Sequence, residues 1–182
     1  MPHIEIISAS VRLGRNSHRV ALFFKTYLEK ETKNTVNIQD LAALQFPLFD
    51  ERLAYQKEIT PEVAGFAEAI KQADGILIVT PEYNGGYPAA LKNVIDLLYK
   101  EWYHKPIGII TVSDGDFGGS QVITSLVFTL WKMKAWVIPA QFPVPNVEAL
   151  FEETGKATDI SKLQPRLKPF LKELDWAMTA NK

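Results

Sequence analysis

Gly75-Ile76-Leu77-Ile78-Val79-Thr80-Pro81-Glu82-Tyr83-Asn84-Gly85-Gly86-Tyr87-Pro88 is the stretch that decides the fold. Ile76 to Val79 is apolar without a polar alternation. A strand with one wet face alternates; one that is apolar throughout is buried on both faces, as at the centre of a parallel sheet. Pro88 then opens a helix whose stripe is Leu91, Val94, Ile95 and Leu98. The intervening residues are therefore a strand-to-helix loop at the carboxyl edge of the sheet, where ligands bind in α/β folds. Its two glycines admit close approach to the backbone, and its two prolines fix the chain's shape. Tyr83 and Tyr87 add flat faces, and Glu82 and Asn84 add polar atoms. This mixture suits a large planar heteroaromatic guest better than a metal or a phosphate alone. The plain alternative is a rigid turn with Glu82 as a surface charge.

Outward from this stretch, strand-like and helix-like runs alternate. Ile4 to Ser8 is a short β-branched strand, followed by a helix striped by Val20, Phe23, Phe24 and Tyr27. Thr35 to Gln39 is a more polar strand, placed near the sheet edge. Thr60-Pro61 starts a helix, with threonine as N-cap and proline at the first helical position. Ile107 to Ser113 is a second buried strand. Gly118 to Lys134 is expected as one long helix, Trp136 to Ile138 as a short fifth strand, and Leu167, Phe170, Leu171 and Leu174 stripe a last helix. Five strands alternating with five helices predict an α/β architecture with a parallel sheet covered on both faces, in a single domain spanning residues 1–182. Ala42 to Ile59 and Pro139 to Ile160 are expected as long loops.

Composition excludes several chemistries. The chain has 182 residues, a formal net charge of -1 and no cysteine, so disulfides, thiolate metal sites and cysteine nucleophiles are ruled out. The near-zero charge offers no bulk attraction to nucleic acid or to an acidic membrane surface. His3, His18 and His104 are not at zinc-ligand spacing, so no metal site is expected. No apolar run reaches the roughly 18 residues needed to span a bilayer. Met1 to Glu5 has no signal-peptide pattern, and a cytoplasmic location is expected.

Two further loops share the rim. Ser8 to Ser17 concentrates three hydroxyls (Ser8, Ser10, Ser17), Arg12, Arg15 and Asn16 ahead of the first helix. Together with free backbone N–H groups at the helix start they suit a phosphate dianion. It is neither a P-loop nor a dinucleotide fingerprint. The bland alternative is that Asn16 or Ser17 only caps the helix while the arginines are solvated. Ser113-Asp114-Gly115-Asp116-Phe117-Gly118-Gly119-Ser120 is glycine-rich, but its carboxylates would repel a second phosphate, so the neutral polar face of a ring fits it better.

In combination these loops resemble the NADPH-dependent FMN reductase family. The resemblance runs over most of the chain: Ser10-Val11-Arg12 through Ser17, Asp40-Leu41 with Phe46-Pro47-Leu48-Phe49-Asp50, and most specifically Thr80 to Asp96. It implies a flavodoxin-like three-layer sandwich with five parallel strands in the order 2-1-3-4-5. FMN would be the bound cofactor and NADPH or NADH the reductant. A small-molecule electron acceptor such as a quinone, free flavin, azo compound or metal oxyanion would complete the cycle. By this resemblance the phosphate sits on Ser10, Arg12, Arg15, Asn16 and Ser17. The ring rests against Pro81, Glu82, Tyr83, Asn84 and Gly85, with Ser113, Gly115 and Gly118 beside it. No catalytic side chain is needed, because the cofactor carries the chemistry. The competing reading is a flavodoxin-like electron carrier or flavin-responsive binding protein without nicotinamide turnover.

The segment from Gly118 is apolar nearly all round, and with the helix at Pro88 it is expected to form a homodimer or homotetramer interface. Trp102 and Tyr103 are candidates for the pocket wall of a neighbouring subunit.

Overall fold

Residues 1–181 are described by a computed structural model; Lys182, the last residue of the expected domain, lies outside them. The strands are β1 (His3–Ser8), β2 (Thr35–Asp40), β3 (Gly75–Pro81), β4 (Pro106–Val112) and β5 (Trp136–Val144). They form one sheet, order β2-β1-β3-β4-β5, in which every neighbouring pair is parallel. The long helices are α1 (Ser17–Glu31), α3 (Pro61–Gln72), α4 (Ala89–Leu97), α5 (Val122–Lys132) and α7 (Ile160–Ala180), with single turns α2 (Leu41–Leu44) and α6 (Val147–Leu150).

The continuous apolar run of β3 works as the sequence predicts. Leu77 and Val79 pack on one face with Phe24 of α1 and Phe170 of α7. Ile76 and Ile78 pack on the other with Phe66 of α3, Leu91 of α4 and Leu126 of α5. Two apolar layers thus sandwich the sheet, and the buried area of both drives folding. Thr60 caps α3 through its side chain, which accepts from the Val63 amide, as the Thr-Pro pair predicts.

Three expectations are corrected. The helix expected from Gly118 begins at Val122, because Gly118 and Gly119 sit at φ 61° and 69°, a left-handed geometry that a helix cannot contain. The short strand expected at Trp136–Ile138 runs on to Val144 through Pro139, which falls in a register shift against β4, and Pro143, which an edge strand tolerates because its outer N–H groups have no sheet partner. Trp102 is not a pocket wall: it is fully buried, and its indole N–H donates to the Ile95 carbonyl at 3.1 Å.

Candidate functional site

β1, β3 and β4 end side by side, so their loops converge on one rim. There they enclose a concavity of roughly 180 Å³. Ser10, Arg12, Arg15, Asn16 and Ser17 form one wall, Pro81, Glu82 and Tyr83 the second, and Ser113 and Asp114 the third. Nine of the expected site residues therefore meet at one place, although they lie up to a hundred positions apart in the chain.

The first wall is built around the start of α1. Asn16 does not cap that helix: its backbone is already helical at φ -78°, ψ -25°, and its side-chain amide donates to Glu148 at 2.8 Å instead. The Ser17 hydroxyl, only 2% exposed, has no hydrogen-bond partner among the described residues. The bland capping alternative is thus corrected for both residues. The first-turn amides of α1 lack a side-chain cap, and they carry the positive end of the helix dipole. An uncapped helix start, a buried hydroxyl without a partner and the exposed Arg12 at one cavity fit an oxyanion ligand. The residues present therefore fit the phosphate of FMN.

Ser10 joins this wall to the next. It is 1% exposed, and its hydroxyl shares a hydrogen bond of 2.6 Å with the Tyr83 hydroxyl. Arg15 does not point freely into the cavity. It donates to the Ser10 carbonyl at 2.7 Å and makes a two-pronged contact with Asp40, one arm at 2.6 Å. Asp40, quoted above only within the family resemblance, and His18 back this wall without lining the concavity. His18 shares a 3.0 Å hydrogen bond with Ser8 and lies 3.9 Å from Asp40. Burial and then the Arg15 charge hold its imidazole below the ordinary value, partly offset by Asp40. Burial would raise the Asp40 carboxyl, but the hydrogen bond and charge of Arg15 outweigh it and hold the group below the usual carboxylate range. The Asp40-Leu41 motif carried no role for Asp40; the β1–β2 pairing sets it opposite Ser8, at the same rim.

In the second wall, Tyr83 and Gly86 exchange backbone hydrogen bonds of 2.8 and 3.0 Å around Asn84 and Gly85. Both central residues have positive φ, 54° and 79°, the pattern of a type I′ turn. Asn84 and Gly85 therefore form an exposed turn tip outside the concavity. Glu82 anchors the loop by accepting from the Gln121 amide at 3.1 Å, just ahead of α5. In the third wall, the Ser113 hydroxyl donates to the Gly115 carbonyl at 2.9 Å. Gly115 lies open at the rim, whereas Gly118 serves packing. A Cβ there would stand 2.9 Å from the Val144 backbone N, so its glycine is required by the β5 backbone. Among the described residues no cluster of His, Asp and Glu is placed to hold a metal. Nor is any helix of these residues long and apolar enough to cross a membrane.

Comparison with known proteins agrees with this geometry. Residues 2–149 match the family model of the NADPH-dependent FMN reductases. An NAD(P)H-dependent FMN reductase of Saccharomyces cerevisiae is 36% identical over 148 residues, covering 74% of this chain and 76% of that protein. A quinone reductase of Pseudomonas putida is 35% identical over 135 residues, covering 69% of each. Among solved structures, the flavoenzyme NAD(P)H:(acceptor) oxidoreductase of Paracoccus denitrificans superposes with a TM-score of 0.79 over 98% of both chains, at 20% identity, and shares the fold. The converging loops, the strand order and these matches together make the chain a member of the NADPH-dependent FMN reductase family, a flavin-reducing oxidoreductase that uses FMN with NADPH or NADH.

Proposed function

We propose that the whole chain, residues 1–182, is one FMN-binding domain that reduces a quinone, free flavin, azo compound or metal oxyanion at the expense of NADPH or NADH. The observation that carries the reading is the partnerless Ser17 hydroxyl at the uncapped start of α1, beside Arg12. It is a buried polar group without a partner in a chain that otherwise satisfies its buried side-chain polar atoms among the described residues, and an oxyanion supplies that partner.

The chemistry FMN supplies when bound is acceptance of a hydride from reduced nicotinamide and delivery of the electrons to a second molecule. The chain's own residues do the placing. Arg12, Ser17, Ser10 and the amides from Asn16 onward would hold the phosphate end. Tyr83, fixed by Ser10, and Glu82, fixed to Gln121, hold the second loop as a rigid shelf for the ring, with Pro81 setting its shape. Asn84 and Gly85 act through the turn that shapes the shelf. Ser113 and Gly115 would border the ring, and Gly118 supports their loop by its close packing on β5. At roughly 180 Å³ the concavity is smaller than a pocket that encloses a whole ligand, so its residues would hold one end of FMN and leave the rest accessible to reductant and acceptor.

Helix α5 presents Phe128 and Trp131, each 62% exposed, side by side. Tyr87 ties the second loop to this helix through a 2.8 Å hydrogen bond to Thr129. The same reading makes this face, with α4, the homodimer or homotetramer interface, and puts the protein in the cytoplasm with its nicotinamide supply. The test is the absorbance spectrum of protein purified with excess FMN and then desalted, followed by NADPH and NADH oxidation with a panel of quinones, azo dyes and free FMN. A flavin spectrum with turnover is expected. A colourless protein would defeat the reading, and a yellow one without turnover would favour the electron-carrier alternative.

A further inference from the structure

Resting on the FMN reading above, we propose that Asp40 is a positioning residue for the phosphate loop. By gripping Arg15 it holds that guanidinium on the Ser10 carbonyl and away from the phosphate, and leaves Arg12 as the cationic side chain that meets the ligand.

The geometry is a closed clasp. Asp40 is the last residue of β2, opposite Ser8 in the β1–β2 register, and its Oδ1 accepts from the Ala42 amide at 3.1 Å. The carboxylate is thus fixed by its own strand end before it meets Arg15. Nη1 of Arg15 then bridges Asp40 Oδ1 and the Ser10 carbonyl, while Nη2 takes Asp40 Oδ2 at 2.6 Å. Both side chains are largely enclosed, 17% and 20% exposed. A two-pronged, partly buried pair of this kind is far stiffer than a surface ion pair. A planar fork occupied on the Ser10 carbonyl and both Asp40 oxygens is not poised to turn to a new anion. The clasp closes the loop from residue 10 to residue 15 on itself and so fixes where Ser10, Arg12 and the start of α1 stand. Arg12 differs in every respect: its guanidinium is exposed on the cavity wall and pairs with no described residue.

Two opposite outcomes are built into one measurement. If Asp40 only neutralised a phosphate-binding Arg15, removing its charge would tighten FMN. If it positions the loop, removing it loosens FMN. The experiment is fluorescence titration of desalted protein with FMN and, separately, riboflavin, which lacks the phosphate, at fixed ionic strength. Asp40→Asn is expected to weaken FMN by roughly tenfold, the loss of about one charge-assisted hydrogen bond, and to leave riboflavin affinity unchanged. Asp40→Glu should recover part of the loss. Arg15→Gln should match Asp40→Asn, and the double variant should lose no more than either alone, because clasp members act as a unit. Unchanged or tighter FMN binding in Asp40→Asn would overturn the proposal, as would additive losses in the double variant. Retained riboflavin binding certifies that a variant has folded. If Asp40→Asn does not fold, Arg15→Gln against Arg15→Gln/Asp40→Glu decides in the same way: an independent loss from the Asp40 change overturns it. A wild-type protein that binds neither flavin would defeat the FMN reading itself.

Discussion

At the scale of single residues, the proposed site divides into groups placed to meet a ligand and groups that hold the loop. Ser17 is the clearest of the first kind. A buried hydroxyl without a partner costs stability, so Ser17→Ala should leave the ligand-free protein as stable or slightly more so. The same change should weaken FMN by about 0.5–1.5 kcal/mol, roughly two- to tenfold. Melting curves with and without FMN check both signs, and a destabilised free protein with normal affinity would contradict the assignment. Arg12→Ala should cost FMN about 1.5–3 kcal/mol and riboflavin nothing; equal losses for the two flavins in a binding titration would show that Arg12 does not meet the phosphate. Gly118 belongs to the second kind. Its φ of 61° and the 2.9 Å approach to Val144 leave no room for a side chain, so Gly118→Ala should destabilise the fold by about 1–3 kcal/mol in urea titration. The residue types at the rim were legible in the chain; their division of labour was not. Arg12 and Arg15 read alike as cations in a loop, and only the β1–β2 register, a tertiary fact, brings Asp40 beneath one of them.

At the scale of elements, legibility followed burial. β3 and β4 were readable because Gly75 to Thr80 and the whole of β4 are buried, and the stripes of α1, α3 and α4 because each faces a single apolar layer. The end of β5 was hidden because proline argues against a strand wherever the sheet continues, and only the strand's place at the edge removes that objection. The start of α5 was hidden because glycines ahead of a helix look the same whether they begin it or delay it. The junction of α1 with β2 has a titration signature. His18 is neutral more readily in the fold than in the unfolded chain, whose imidazole has the ordinary value of 6.5. As pH falls below about 6.5 the unfolded state takes up more protons, so stability should drop there. Asp40 is displaced below the ordinary 3.8, so its contribution, present above that value, should be lost as pH falls further through the acid range. Urea midpoints across pH should show two descents, and His18→Gln should flatten the upper one alone. An unaltered upper descent in that variant would assign it to another group.

At the scale of the whole molecule, the two exposed aromatic rings of α5 are expected to be covered by a second copy. Contiguous apolar surface of this kind marks association. Trp131→Glu with Phe128→Lys should shift light scattering from an oligomer to a monomer while the sheet and its core are retained. A wild-type monomer at micromolar concentration would refute the interface. The β5 border of the sheet, on which α5 packs, is finished differently. The Val144 carbonyl accepts from Ser113 N, so the neighbouring Pro143 faces outward, while Pro139 falls within the register shift of β5 against β4. Pro143 therefore offers no outward N–H, Pro139 interrupts the regular ladder, and the Pro143 carbonyl is taken by Arg166 of α7. A stranger's strand arriving at this border finds too few free groups to zip onto. The consequence belongs to the crowded cell rather than to the reaction: the β5 border gives a growing fibre little to pair with, whatever the proposed contact at the aromatic helix does.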